Sequence, residues 1–330
     1  MASGLERLAR STPSGALLAY DPMSVFTRKK RAIPSRETWL EWRKSNIGAS
    51  EVAALFGCHP YITPLQLWGW HRGEIQRPDT DNAAMRRGRI FERAALDAFG
   101  EDHHELIATT GEHYHEITEL RLGATPDGWC WPLGDATDRR LIQVKTVDSS
   151  KFEAEWRDDG PPVHYLMQCQ AEMMVTQAQR CVLLVMVLGG FAVETHEYDF
   201  AADIGYQARL AVAIERFWQM VETGEQPNPL DGDQQTLAEL HPTLAGDTIA
   251  LGGIDHIAEA FAEIEDYARE IKRLERDIGA RKAAIIKAMG NHPKAVLPGW
   301  KASLSDIAPT TVPAHTRKGY RRLTITKERK

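Results

Sequence analysis

Residue types that suit phosphodiester chemistry lie close together in residues 123–146. A turn formed by proline and glycine presents the carboxylate of Asp127, and the apolar run 141–146 carries Gln143 and Lys145 two positions apart. Because strand side chains alternate between faces, this amide and this ammonium point to the same side. A carboxylate, an amide oxygen and a lysine at one sheet edge suit a hard cation with an activated water beside it. The residues therefore predict a metal-dependent phosphodiesterase site.

A further carboxylate, Glu92, comes from an amphipathic helix predicted over residues 85–100 and closed by Gly100. Glu92 lies next to the apolar stripe of that helix, so an inward orientation is as well supported as an ion pair with a flanking arginine. An inward carboxylate is costly unless it is paired or bound to metal. Glu92 is therefore a candidate metal ligand.

A second group of residues suits a phosphate. Trp39 and Arg43 fall on one face of a helix for which Ser35 is the N-cap candidate, and a turn of small residues then leads into a short helix that ends at Gly57. Ser50 is the predicted N-cap of this short helix. Free amides, a hydroxyl and a nearby arginine can bind a phosphate, although capping alone also explains Ser50.

Residues 161–174 begin with two prolines and continue with a helical pattern, which matches the preference for proline in a first turn. Tyr165, Gln168 and Glu172 stack on one face of this predicted helix, because they are spaced three and four residues apart. One helix therefore presents a phenol, an amide and a carboxylate side by side.

Composition sets limits on the function. The chain is 43% hydrophobic and 26% charged, with a net charge of −6 and a pI of about 6.1, which is typical of a globular protein. This charge argues against a uniformly basic surface that coats nucleic acid, but it does not exclude a locally basic groove around an acidic metal site. The four cysteines form no CxxC pair, which argues against a disulfide framework or a zinc site. Without a long apolar run or a signal pattern, we expect a cytoplasmic protein with no membrane segment.

The chain is expected to have four parts: an N-terminal arm (1–34), a main domain (35–225), a linker (226–251) and a C-terminal appendage (252–330). The arm carries a basic cluster at 28–31, which is either a solvated tail or a strap that contacts phosphates. The appendage contains a long amphipathic helix over 254–289, suited to a helical hairpin, a coiled coil or docking on its own domain. Strand-like pieces follow at 296–304 and 321–326.

The order of these elements resembles the PD-(D/E)xK nuclease superfamily, and within it the YqaJ-type viral recombinases, a lambda-exonuclease-like family. The resemblance covers residues 35–222. It rests on five pieces: Trp39 and Arg43 with Gly48-Ala49-Ser50, Gly88 with Glu92, Pro126-Asp127-Gly128, Gln143-Val144-Lys145, and Tyr165 with Gln168-Cys169-Gln170. It implies an α/β fold with a restriction-endonuclease-like core, in which helices flank a central mixed sheet, and a C-terminal helical appendage.

The resemblance also implies roles for individual residues. Asp127 and Glu92 would ligate Mg²⁺, for which Mn²⁺ is expected to substitute. The Gln143 side chain and the backbone carbonyl of Val144 would complete the ligand set. Lys145 would position or polarise the attacking water.

Five further residues would contact DNA if the resemblance holds. Arg43 and Ser50 would hold a 5′-terminal phosphate, with Trp39 packed nearby. Tyr165 and Gln168 would sit beside the scissile linkage. The implied reaction is 5′ to 3′ hydrolysis of duplex DNA from its ends in phage-type recombination. The implied partners are double-stranded DNA ends, further copies of the chain in a ring-type homo-oligomer, and a single-strand annealing protein.

Gln143 departs from the family pattern, which usually has an acid at this position. An amide oxygen can ligate Mg²⁺ but brings no negative charge. Three explanations compete: Gln143 is a natural variant with weaker activity, Glu172 supplies a migrated carboxylate, or the site is inactive. We favour a metal-dependent enzyme. The alternatives are a catalytically silent module that binds DNA ends and a nicking or restriction-type endonuclease.

Overall fold

The computed structural model describes residues 25–78, 82–156, 160–189, 192–243, 246, 248–251 and 254–307. The chain divides into two units, Met1–Pro242 and Thr243–Lys330. The strands of the first unit are β1 (Arg28–Ala32), β2 (Ile47–Gly48), β3 (Leu106–Thr110), β4 (His113–Ile117), β5 (Leu122–Ala124), β6 (Gly128–Pro132), β7 (Arg140–Asp148), β8 (Arg180–Gly189) and β9 (Ala192–Ala201). Its helices are α1 (Arg36–Ser45), a 3₁₀ helix (Ala49–Phe56), α2 (Pro64–Arg72), α3 (Ala83–Asp102), α4 (Ser149–Glu155), α5 (Val163–Thr176), α6 (Ile204–Thr223) and α7 (Gln234–Leu240).

The central sheet has the strand order β3-β6-β7-β8-β9. Only the pairing of β7 with β8 is parallel, so the sheet is mixed. A parallel pair needs a long crossover, and here the crossover contains α4 and α5. Helix α3 packs on one face of the sheet through Leu96 and Phe99, and α5 packs on the other through Cys169 and Met173. The expected α/β fold, a mixed sheet flanked by helices, is confirmed.

The basic cluster at 28–31 forms a strand. Strand β1 pairs antiparallel with β4 in a second sheet of order β1-β4-β5-β2. The buried carboxylate of Glu116 on β4 forms ion pairs with Arg31 and, at 3.7 Å, with Lys29. The expectation of a solvated tail was therefore wrong for these residues, because cross-strand pairing and a buried acid hold them in the sheet. Residues 1–24 of the expected arm lie outside the described part of the chain.

Helix ends follow the capping chemistry in most places. The Ser35 hydroxyl accepts a hydrogen bond from the Thr38 amide (3.2 Å), as expected for an N-cap, and α6 ends at Gly224 with a left-handed φ of 81°. The predicted end of α3 at Gly100 was wrong. That helix continues to Asp102, and the amide of His103 closes its last turn.

The expected linker 226–251 contains ordered structure. Helix α7 lies within it, and the first unit extends to Pro242. The carboxylate of Asp233, which is 1% exposed, accepts hydrogen bonds from the Thr63 hydroxyl (2.5 Å) and from the Leu230 amide (2.7 Å). These bonds attach the segment to the start of α2.

The second unit contains one long helix, α8 (Asp255–Met289), followed by a hairpin of β10 (Lys294–Leu297) and β11 (Trp300–Ser303). The helix expected over 254–289 is continuous, and the strand-like piece at 296–304 belongs to the hairpin. The piece expected at 321–326 lies outside the described residues. None of the helices in the described part of the chain has the length and apolar character needed to cross a lipid bilayer.

We predict that Asp233→Ala destabilises the first unit by about 1–3 kcal/mol, because it leaves the donors of Thr63 and Leu230 without their acceptor. Urea unfolding monitored by tryptophan fluorescence measures this change, and Asp231→Ala, at an exposed neighbouring position, is the matched control. Equal stabilities of the two variants would show that 226–242 contributes nothing to the unit.

Candidate active site

The carboxylate of Asp127 is held between the end of one strand and the middle of the next. Asp127 immediately precedes β6, and the antiparallel register of β6 with β7 pairs Gly128 with Ile142. This register brings the Asp127 side chain beside Val144, whose amide donates to Oδ2 (2.8 Å), and beside Gln143, whose side-chain amide donates to the same oxygen. Burial raises the pKa of Asp127, while Lys145 and the Val144 hydrogen bond oppose that rise.

Glu92 faces this cluster from α3. Burial raises the pKa of Glu92 to about 7, and the negative charge of Asp127 acts in the same direction, while Lys145 opposes both. These charged neighbours are the members of the predicted site and not the arginines that flank Glu92 in sequence. The inward orientation is therefore the one that the structure adopts, and the two carboxylates repel each other across the site.

Lys145 projects toward α5 and lies over Tyr165. Its ammonium nitrogen is 5.2 Å from the centroid of the Tyr165 ring, a distance at which the electron-rich face of the ring attracts the cation. Lys145 also opposes the pKa increases of Asp127 and Glu92, so its charge acts on both carboxylates. The site therefore combines two acids, one amide and one oriented cation.

A third carboxylate, Glu172, lies deeper on α5. Gln168 donates a hydrogen bond to Oε1 of Glu172 (2.9 Å), whereas Oε2 is buried without a hydrogen-bond partner among the described residues. Glu172 is 1% exposed, and burial together with the charge of Asp127 raises its pKa to about 8. Glu172 is therefore largely protonated at neutral pH and sits at the wall of the site.

The residues predicted to bind a phosphate share one cavity. Its lining includes Trp39, Arg43, Ser50, Gln168 and Glu172, so it adjoins the carboxylate cluster through α5. The guanidinium carbon of Arg43 lies 4.7 Å from the Trp39 ring centroid. The indole of Trp39 in turn donates to the hydroxyl of Thr125 (3.0 Å), two positions before Asp127 in the chain. This chain of contacts fixes the position of Arg43.

Glu51 and Arg77, which the sequence analysis did not identify, form an ion-pair group with Arg43 beside the cavity. The buried carboxylate of Glu51 accepts a hydrogen bond from the Gly48 amide (2.8 Å) and pairs with Arg43 (3.7 Å) and with Arg77. Gly48, not Ser50, is therefore the N-cap, and the predicted cap at Ser50 was wrong. The acid three residues after Gly48 was the available signal, since that spacing is typical of a capping box.

Within the described residues, no three histidine, cysteine, aspartate or glutamate side chains cluster closely enough to form a metal centre by themselves. The cluster has two carboxylates instead, and Oε1 of Gln143 is buried there without a hydrogen bond in the described part of the chain. A hard cation uses oxygen ligands and would neutralise the charge of Asp127, which adds to the effect of burial in raising the pKa of Glu92. Asp127, Glu92, Gln143 and the Val144 carbonyl therefore fit a Mg²⁺ ion.

Comparison with known families identifies the part of the chain that contains this site. The family model of the YqaJ-like viral recombinase domain matches residues 38–179, which include each of the predicted site residues. This stretch is similar to the YqaJ-like viral recombinase domain, and we call it the YqaJ-like domain. The YqaJ-like domain thus extends from α1, which carries Arg43, to the loop that precedes β8.

A curated relative agrees with this assignment. The uncharacterized protein YqaJ of Bacillus subtilis strain 168 is 22% identical over 211 residues, which are 62% of this chain and 61% of that protein. The match thus spans about three fifths of the relative's length.

Solved structures with similarity to this chain include two exonucleases. The alkaline exonuclease LHK-Exo from Laribacter hongkongensis has 20% identity and a TM-score of 0.44, and the match covers 57% of this chain and 93% of that one. A phage-related exonuclease from Haemophilus somnus 129PT has 10% identity and a TM-score of 0.38, covering 54% and 96%. Both scores are low, so the fold of the YqaJ-like domain rests on its sheet order and family match.

We predict that Glu172 makes the stability of the YqaJ-like domain depend on pH. Its pKa is raised from 4.5 in the unfolded chain to about 8 in the folded state, so the unfolded chain loses this proton first as the pH rises. Stability should fall between these values by about 1.4 kcal/mol per pH unit from this residue alone. Glu172→Gln should remove that part of the slope in denaturant unfolding with EDTA present.

The matched control is Glu41→Gln, at an exposed position on α1, which should keep the wild-type slope. A Glu172→Gln variant with an unchanged slope would mean that Glu172 is ionised in the folded protein at neutral pH.

Proposed function

We propose that the YqaJ-like domain is a Mg²⁺-dependent 5′ to 3′ exonuclease that acts on the 5′-phosphorylated ends of double-stranded DNA. One observation carries the proposal: the carboxylates of Asp127 and Glu92 and the ammonium of Lys145 form one electrostatic cluster beside the Arg43 cavity. The family match to a viral recombinase domain supports the same reading.

The proposed metal ligands are Asp127, Glu92, the side-chain oxygen of Gln143 and the carbonyl of Val144. A bound Mg²⁺ ion would supply charge stabilisation at the scissile phosphate and would lower the pKa of a coordinated water. The protein holds Asp127 in place through the Val144 amide. Without a bound cation the pKa of Glu92 is raised to about 7 by burial and by the charge of Asp127, so the free site gains its full negative charge only above neutral pH.

Lys145 is the proposed group that positions the attacking water. Its ammonium can donate hydrogen bonds to a water and to a phosphate oxygen, and it carries positive charge toward the developing negative charge. The Tyr165 ring limits the directions in which this flexible side chain can point. Tyr165 and Gln168 lie on α5 between this lysine and the cavity, where a DNA backbone that joins the two would pass.

The proposed binding site of the 5′-terminal phosphate is the cavity that Arg43 lines. Arg43 and Arg77 share the single buried carboxylate of Glu51, so this group of three has one positive charge in excess. A terminal phosphate carries more negative charge than an internal diester, and an arginine binds it with strong, charge-assisted hydrogen bonds. If the terminal phosphate binds there, hydrolysis proceeds from the 5′ end.

One observation favours a second candidate, a module that binds DNA ends without cutting them. The Gln143 amide already donates to Asp127, an interaction that partly replaces the neutralisation a cation would provide. The same phosphate cavity would then bind the end of a duplex while the carboxylate cluster stays without metal.

The two candidates differ in their reaction products. We predict that the protein with Mg²⁺ releases nucleotides from linear duplexes that carry a 5′ phosphate and leaves closed circular DNA intact. Asp127→Ala and Lys145→Ala should each lower the rate at least about 100-fold. The first removes a metal ligand and the second removes the cation that positions the water, and electrostatic stabilisation of either kind is worth several kcal/mol. Gel analysis of end-labelled duplexes measures this rate.

Asp127→Asn, which keeps the shape of the side chain, is the control for misfolding and should be equally inactive. Tight binding of DNA ends without product would support the silent module instead. Cutting of closed circles would indicate an endonuclease.

We predict that Arg43→Ala reduces the preference for phosphorylated over unphosphorylated 5′ ends by roughly 10- to 100-fold, the effect of losing a hydrogen bond to a charged group. Competition between the two duplexes in one reaction measures the preference directly. Arg36→Ala, at an exposed position on the same helix, should leave it unchanged. An unaltered preference in Arg43→Ala would place the terminal phosphate elsewhere.

We predict that Gln143→Glu makes the protein more responsive to Mg²⁺. The new carboxylate loses the hydrogen bond to Asp127 and repels it, which destabilises the metal-free protein, and the same charge attracts the cation. Thermal unfolding should therefore show a larger Mg²⁺-induced increase in Tm for Gln143→Glu than for the wild type. Equal increases in both proteins would argue against a cation at this position.

A further inference from the structure

An open cavity of about 610 Å³ lies between the central sheet and the second sheet of the first unit. Its lining comes from β1, β3, β4 and β6 and from the end of α5, and among the described residues it shares no lining residue with the Arg43 cavity. The volume is within the range of about 300–1,000 Å³ that is typical of ligand sites. The proposed nuclease site does not account for this second cavity.

Two indole rings form one wall of the second cavity. Trp129 and Trp131 are two positions apart on β6, so their half-buried side chains share one face and lie about 6.8 Å apart along the strand. The guanidinium carbon of Arg139 lies 5.6 Å from the ring centroid of Trp129 and 4.4 Å from that of Trp131. Because Arg139 is exposed, its side chain can turn away and leave the rings to another planar group.

The second sheet supplies the facing wall. Lys30 on β1 is directly opposite His115 on β4, so the two side chains lie on the same face of that sheet. The centroid of the His115 ring is 6.2 Å from that of the Trp129 ring. Burial, together with the charges of Lys30 and His113, lowers the pKa of His115 to about 4, so its ring is neutral at physiological pH. This wall therefore adds a neutral aromatic ring and an ammonium group.

We infer that the second cavity binds the unpaired bases of a single-stranded nucleic acid. Indole faces stack on bases of any sequence, and neighbouring cations attract the phosphates between them. Among the described residues of the lining, Lys30 and Arg139 provide two positive charges against the single acid Glu112. A duplex is a poor ligand for this cavity, because its base faces are covered by the neighbouring base pairs. An acidic peptide is attracted by the same cations but has no use for the indole faces.

The second cavity and the candidate active site share a strand and a helix. Trp129 follows Asp127 by two residues, and Thr176 in the cavity lining follows Glu172 by four residues, about one turn of α5. A strand that is unpaired at the active site can therefore reach the cavity. A nuclease that removes one strand of a duplex leaves the complement unpaired, so this link to the reaction rests on the proposed function. The binding of single strands does not.

Fluorescence anisotropy of a labelled oligothymidylate tests this inference with the full chain. EDTA prevents hydrolysis, and an oligonucleotide without a 5′ phosphate limits binding in the Arg43 cavity. Trp131→Ala should weaken binding roughly 5- to 150-fold, the effect of losing one base–aromatic stack, and Trp131→Phe should restore most of the affinity. Trp300→Ala, which removes an exposed tryptophan of the second unit, is the matched control and should bind like the wild type.

Salt dependence gives the second readout, and it uses an exposed residue whose replacement leaves the fold intact. Arg139→Ala should reduce the slope of log affinity against log salt concentration by about 0.7, the value for one lost phosphate contact on a single strand.

Four results would overturn the inference: no binding of the oligonucleotide by the wild type, equal affinities of the wild type and Trp131→Ala, an equal loss of affinity for a blunt hairpin duplex, or equally effective competition by polyglutamate. The last result would identify a site for an acidic protein segment. None of these measurements depends on hydrolysis. A protein that shows the Trp131 effect but cuts no DNA would contradict the proposed function alone.

Discussion

The rest of the site depends on how one aspartate is held. Asp127 lies at a bend directly before β6, and its Oδ2 atom accepts hydrogen bonds from the backbone amide of Val144 and the side-chain amide of Gln143 on the neighbouring strand. These bonds set the carboxylate against the strand that carries Lys145. They also keep it in a partly buried position, where its charge is costly and acts strongly on its neighbours. The pKa values of Glu92 and Glu172 are both raised in part by this charge.

Charge is distributed unevenly across the two halves of the site. The half at the central sheet contains several acidic groups and one lysine, so a bound cation would stabilise it. The other half contains Arg43 and Arg77, which pair with one buried glutamate, so a bound anion would balance the excess positive charge. Gln168 connects the halves, because it lines the phosphate cavity and donates to Glu172. A DNA end with its metal ion would supply the cation for the first half and the phosphate anion for the second. We therefore favour a nuclease over a protein that uses only one of the two halves.

Local patterns predicted the parts of this arrangement that depend on neighbouring residues. Strand alternation placed Lys145 and Gln143 on the same side, and the Ser35 cap follows directly from the sequence. Features that depend on distant residues were not accessible in this way. The pairing of β1 with β4, the docking of Asp233 on Thr63 and the role of Arg77 each join segments far apart in the chain. The cap at Gly48 was missed for a different reason: serine is the commoner cap, and the deciding residue was the acid that followed.

The central claim is that a divalent cation binds between Asp127, Glu92 and the oxygens of Gln143 and Val144. Anomalous diffraction from a crystal soaked in Mn²⁺ tests it most directly, because the signal locates the ion without reference to activity. The account predicts one strong peak within coordination distance of Asp127, with the Gln143 amide turned so that its oxygen faces the ion. A peak elsewhere in the domain, or none while the Gln143 amide still donates to Asp127, would contradict it.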